Sequence, residues 1–153
     1  MNDLLLGLHL LGVTVWVGGM FFAYVALRPA AAKMLEAPER LNLWNATLAR
    51  FFLWVWISVA LILASGFGMI GLNGGFRNAA PYVNIMMLIG LIMMAIFAHV
   101  YFAPYKRLGR YVAAQEWKPA GEQLAQIRKK VGLNLGLGLL TIIVATVGQL
   151  LVR

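Results

Sequence analysis

The sequence predicts an all-α integral membrane protein: a four-helix bundle with its N-terminus and C-terminus both on the outer, periplasmic side. Three observations lead there. Four uncharged apolar stretches each approach the ~20 residues that a helix needs to cross a bilayer. The chain is 62% hydrophobic and 12% charged, whereas soluble domains are about a quarter charged. The basic residues are confined to alternate connections between the apolar stretches. A membrane β-barrel would instead alternate polar and apolar residues over short segments.

The first span covers residues 4–27 and is expected to end at Arg28-Pro29, because proline removes a backbone donor. It lacks the basic leader of a signal peptide and is too long for its apolar region, so it reads as an uncleaved helix. The second span covers 51–72, between Arg50 and the turn Asn73-Gly74-Gly75. The third, 82–103, opens after Pro81 and is interrupted by Pro104. The fourth, 131–152, follows Arg128-Lys129-Lys130. Together they make residues 1–153 one four-span domain. Two further stretches suit helices outside the spans. Residues 36–50 carry Leu41, Leu43, Trp44 and Leu48 among polar neighbours, the pattern of a surface-lying segment. Residues 120–130 should run straight into the fourth span. The residues show no convincing internal repeat.

Orientation follows from charge. The first connection carries Arg28, Lys33, Arg40 and Arg50. The third carries Lys106, Arg107, Arg110, Lys118, Arg128, Lys129 and Lys130. Only Arg77 and Arg153 of the 13 basic residues fall elsewhere. The positive-inside rule puts the first and third connections in the cytoplasm. The net charge of +8 is then a matter of topology and anionic lipid headgroups, and nucleic acid is not an expected partner.

The chemistry reduces to two histidines. His9 lies in an apolar span, where an imidazole needs a hydrogen-bond partner, a metal or a functional path. At ~1.5 Å per residue, His9 sits ~8 Å below the outer edge and His99 ~25 Å below it. One ion or one haem iron cannot take both. An outer layer is therefore expected to hold His9, Met69, Met86, Met87 and Gln149. An inner layer would hold His99, Met20 and Tyr24, rimmed by Arg28, Arg50, Lys106 and Arg107. His9, Trp16 and Met20 share one helix face. Met86/Met93 and Met87/Met94 repeat at seven residues and form a thioether stripe.

Imidazole and thioether donors suit Cu(I), and His/His or His/Met pairs suit haem iron. The residues alone leave both open. The expected metal ligands are His9, Met69, Met86 and Met87; a cofactor would be met by His9, His99, Trp16 and Met20. Simpler uses compete with each. Methionines fill gaps in apolar packing, and a histidine in a span often just bonds a neighbouring helix. The glycines at 18, 19, 66, 68, 71, 132, 136 and 138 suit close helix contact. Ser58, Ser65, Asn134 and Thr141 suit interhelical hydrogen bonds. Trp44 and Trp117 suit interfacial anchors. No span contains a carboxylate, which excludes paired-carboxylate acid–base catalysis and the usual proton-coupled transport. No phosphate loop and no H-E-x-x-H motif is present.

The stretch Leu8-His9-Leu10-Leu11-Gly12 through Trp16-Val17-Gly18-Gly19-Met20-Phe21-Phe22, ending in Leu27-Arg28-Pro29, resembles the first helix of the copper resistance protein D (CopD) family. Tyr105-Lys106-Arg107-Leu108, Ile127-Arg128 and Asn134-Leu135-Gly136-Leu137-Gly138 resemble it as well. The first-helix pattern is also similar to that of the HemJ-type protoporphyrinogen oxidases, small four-helix proteins that bind haem b. The first resemblance implies copper transfer or import at the bacterial inner membrane. The second implies a b-type haem protein for electron transfer or porphyrinogen oxidation, with His9 and His99 at the positions of its helix histidines. The expected partners are the lipid bilayer, anionic headgroups at the basic rim, a periplasmic metal donor and a second copy of the chain.

Overall fold

A computed structural model describes residues 1–151; Val152, the expected last residue of the fourth span, and Arg153 lie outside the described residues. Four long helices account for nearly all of it: α1 (Asn2–Met34), α2 (Ala37–Leu72), α3 (Pro81–Ala113) and α4 (Trp117–Leu151). Each is long and apolar enough to cross a membrane. In lipid every backbone donor and acceptor must be satisfied inside the chain, which a continuous helix achieves.

The helices run further than their apolar stretches. α1 does not stop at Arg28-Pro29; it passes through a π-helical turn at Phe22–Leu27 and stays helical to Met34. There the Arg28 N–H bonds the Ala23 carbonyl, five residues back. α3 passes Pro104 in the same way, through a π-helical turn at Tyr101–Tyr105. Proline lacks the N–H of a normal helical turn and its ring crowds the carbonyl four residues back. A widened turn absorbs that mismatch without breaking the rod. Residues 36–50 do not lie on the surface either. From Ala37 onward they belong to α2, and Leu41, Trp44 and Leu48 are buried. They pack with Leu108, Val112, Ala120 and Ile127 into a core at the basic end of the bundle. Trp44 is thus a core residue rather than an interfacial anchor, and half-buried Trp117 packs against the same core.

Turn chemistry sets the joints. Gly74 and Gly75 end α2 at φ +89° and +84°, a backbone region that side chains with a Cβ rarely tolerate. The Gly75 N–H closes back on the Ile70 carbonyl at 2.8 Å, which satisfies one of the helix's last acceptors. Pro81 opens α3 where a helix needs no donor. Gln115, at φ +58°, turns α3 into α4.

The helices pair as two hairpins, α1 with α2 and α3 with α4. The hairpins match in plan. α1 and α3 both span 33 residues, and both hold 20 residues of α-helix before the π-turn. The return helices have 36 and 35 residues. The two hairpins therefore match in helix length and in the position of the π-turn. Small residues set the spacing. A Cβ added to Gly12 would lie 2.9 Å from the Ile62 Cγ1 and 3.1 Å from the Ser58 carbonyl oxygen. One added to Gly138 would lie 2.9 Å from Val17. Gly18, Gly71 and Gly136 face open space instead.

Candidate functional site

At the end of the bundle where α1 begins, the two hairpins separate. The backbones of α2 and α3 approach most closely along residues 101–113, at the basic end. That separation leaves a cavity of about 540 Å³. All four helices line it: His9 and Trp16 from α1, Met69 from α2, Met86 and Met87 from α3, Gln149 from α4. The whole expected outer layer therefore faces one space. Met93 and Met94 continue the thioether stripe deeper into the cavity. No Asp, Glu, Lys or Arg is among the lining residues.

The imidazole is held in one orientation. Its Nδ1 lies 3.1 Å from the Ser65 hydroxyl oxygen. That hydroxyl has a single proton, and the Leu61 carbonyl takes it, with the Ile62 carbonyl a longer second acceptor. The Ser65 oxygen is thus left to accept, so His9 Nδ1–H donates to it. Nε2 then keeps its lone pair and has no protein partner among the described residues. A second partner that fixes the tautomer of a ligating histidine is the usual construction of a metal site. Gly66, 3.6 Å from the ring by its virtual Cβ, leaves space for the imidazole to lie against α2.

The cavity is closed toward the basic end. Trp16 meets Phe97 with ring centroids 6.1 Å apart. Phe97 packs on Phe52 at 5.4 Å and Phe52 on Tyr105 at 4.9 Å. Trp56 and Tyr101 complete the aromatic layer. Beneath Trp16 lies a separate void of about 10 Å³, bordered by Met20 and Asn134. The Asn134 Nδ2 donates to the Met93 carbonyl at 3.0 Å, which ties α4 to α3 as expected. Its Oδ1 is buried without a partner. Thr141, by contrast, bonds only within its own helix.

The remaining expected residues separate from this group. Met20 is buried in the core and does not reach the cavity. His99 is exposed on the flank of α3 and lines neither space. The two histidines therefore belong to different environments, as their depths imply. Among the described residues no three His, Cys, Asp or Glu side chains come together to hold a metal. A metal here would rest on one imidazole and thioether sulfur. Reasoning from sequence missed Ser65 as the partner of His9, and it missed Asn73, Asn78 and Tyr82 at the cavity mouth. The depth of Ser65, seven residues from the end of its span, was the available signal.

A multi-pass helical membrane protein with an uncharged cavity that several methionines line is the class that this architecture defines. A family model described as Copper resistance protein D matches residues 45–147, more than half of the chain, and the protein belongs to that family. The match covers most of α2, all of α3 and most of α4; His9 and the rest of α1 lie before it. No curated protein and no solved structure matches the chain. The family makes this a copper-resistance-related membrane protein.

Proposed function

We propose that the protein takes up copper as Cu(I) from the periplasmic side of the bacterial inner membrane and holds it in the outer cavity for transfer or import. The supporting observation is the convergence of His9 with Met69, Met86 and Met87 on one uncharged space. The His9 Nε2 lone pair and the three sulfurs are the proposed ligands. Soft sulfur and imidazole favour Cu(I) over hard cations. The missing carboxylates also disfavour Ca²⁺ and Mg²⁺, which need oxygen ligands. The end bearing 11 of the 13 basic residues then faces the cytoplasm and its anionic headgroups. In this orientation the cavity opens outward and the aromatic layer shuts it from the cytoplasm.

Haem b is the second reading, favoured by the cavity's size, which exceeds what one ion needs. The residues fit it poorly. Nε2 of His9 could serve as one axial ligand, but no basic side chain lines the cavity to meet a propionate. His99, the other candidate axial ligand, faces away from the cavity.

The test is Cu(I) titration of the protein in lipid nanodiscs against a competing chelator, beside a visible spectrum of the purified protein. We expect one tight Cu(I) equivalent, lost in His9→Ala, and no Soret band. A Soret band that vanishes in His9→Ala replaces copper with haem. Wild-type protein that binds no Cu(I) ends the copper reading.

A further inference from the structure

The cavity also has the shape of a small-molecule site. About 540 Å³ falls inside the range of roughly 300–1,000 Å³ typical of ligand pockets. A copper ion and its three or four donors would leave most of that volume empty. Four features restrict what could fill it. First, the lining holds no charge, so a charged molecule would be buried without a counter-ion. Second, His9 presents Nε2 as an unpaired acceptor, because Ser65 fixes its proton on Nδ1; a ligand that meets it must donate. Third, aromatic and thioether side chains stand among the mostly aliphatic walls: Trp16, Phe67, Met86, Met87 and Met94. Sulfur against a ring edge is a favourable contact, and methionines adapt to ring shapes. Fourth, the cavity has a flank toward lipid. Phe67 of α2 and Leu91 of α3 both line it, and each is 48% exposed. The backbones of these helices come closest further along, at residues 101–113, past the Phe97 contacts with Phe52 and Trp56.

We infer that the cavity binds an uncharged, lipid-soluble phenol, the class that includes hydroquinones, entering between α2 and α3 and donating its ring hydroxyl to His9 Nε2. This site stands independently of copper uptake, but it uses the same lone pair. Cu(I) and the phenol therefore exclude one another.

The experiment uses 4-fluoro-2,6-dimethylphenol and its methyl ether as probes, followed by fluorine NMR on the full chain in lipid nanodiscs, with empty nanodiscs as the control. The two probes share a ring, but only the phenol can donate. We expect saturable binding of the phenol about tenfold tighter than the ether, the worth of one buried hydrogen bond. His9→Leu should bring that ratio to one. Gly90 lines the cavity, and a Cβ there meets nothing within 4 Å, so Gly90→Leu should fill the space and weaken both probes without a clash. Equal affinities for phenol and ether in the wild type overturn the inference, since the cavity then holds any apolar molecule, lipid tails included. So does a preference for the phenol that survives His9→Leu. Cu(I) added to the phenol complex should displace it. Phenol binding without Cu(I) binding leaves this inference standing and removes the copper site; Cu(I) binding without phenol binding does the reverse.

Discussion

α1–α2 and α3–α4 are built to one plan, with first helices of 33 residues, a π-turn after 20 residues and a slightly longer return helix. Their chemistry differs at nearly every position that matters. Counted from the helix starts, the place of His9 is taken in α3 by Leu88, which is 61% exposed. The place of Ser65 is taken in α4 by Ala145. Met20, 2% exposed in the core, corresponds to exposed His99. The first hairpin thus supplies an oriented imidazole, and the second supplies most of the thioethers. Two hairpins of like length bring unlike donors to the seam between them, and that difference in side chains is what lets the cavity be selective.

Moving the histidine breaks the comparison most sharply. His9→Leu should weaken Cu(I) binding by about 100-fold or more, beyond the range of about 10–100-fold seen when only an outer-shell partner is lost. The double variant His9→Leu/Leu88→His should not recover it, because position 88 looks away from the seam. Chelator competition on both proteins measures this. Recovery in the double variant would show that the halves are interchangeable and that the cavity is not the site.

A smaller effect is expected one step from the ion. Ser65→Ala removes the acceptor that fixes the tautomer of His9, and we expect about a 10–100-fold loss of Cu(I) affinity. Nitrogen NMR of His9 should show Nδ1–H alone in the wild type and a tautomer mixture in the variant. Ser65→Thr keeps the hydroxyl and should keep both properties. An unchanged tautomer in Ser65→Ala would mean that another group orients the ring.

Much of this was legible in the residues, for a simple reason. In a membrane, depth follows from counting along a helix, so His9, Met69, Met86, Met87 and Gln149 could be assigned to one layer without coordinates. Their meeting at one cavity additionally required knowing which helices pair and where they part, and periodicity carries no such information. The prolines misled for a related reason. Pro29 and Pro104 signal a break in an isolated helix, yet here a π-turn keeps the hydrogen-bonded rod continuous. Residues 36–50 look amphipathic because one face meets polar surroundings, but the opposite face is covered by residues 106–127 of the chain and not by lipid. The matching lengths of the hairpins stayed hidden because they depend on where helices end and π-turns fall, which side-chain patterns do not mark.

Packing in the two hairpins can be compared through their glycines. Gly12→Val should destabilise the α1–α2 pair by about 1–3 kcal/mol, the usual cost of overpacking. The Ser58 carbonyl at 3.1 Å is backbone and has little freedom to move. Gly136→Val, facing open space, should change stability far less. Unfolding in mixed micelles measures both, and equal effects would show that α1 and α2 are not in close contact at Gly12.

The smallest expected effect concerns a buried side-chain tie between α3 and α4. Asn134 makes a single interhelical bond, to the Met93 carbonyl, and such bonds average about 0.6 kcal/mol in membrane proteins. Its Oδ1 is buried with no partner, a cost of about 1–3 kcal/mol for a polar atom left unmade. Asn134→Leu removes both, with a side chain of similar bulk. The two contributions oppose, and the orphaned oxygen is the larger, so the variant should be slightly more stable than the wild type, by about 1 kcal/mol. The void beside it, about 10 Å³, is just large enough for one water molecule. Were a water bound there, the oxygen would be satisfied and the variant would instead be destabilised. The sign of the stability change in mixed-micelle unfolding therefore reports whether the floor of the second hairpin is dry.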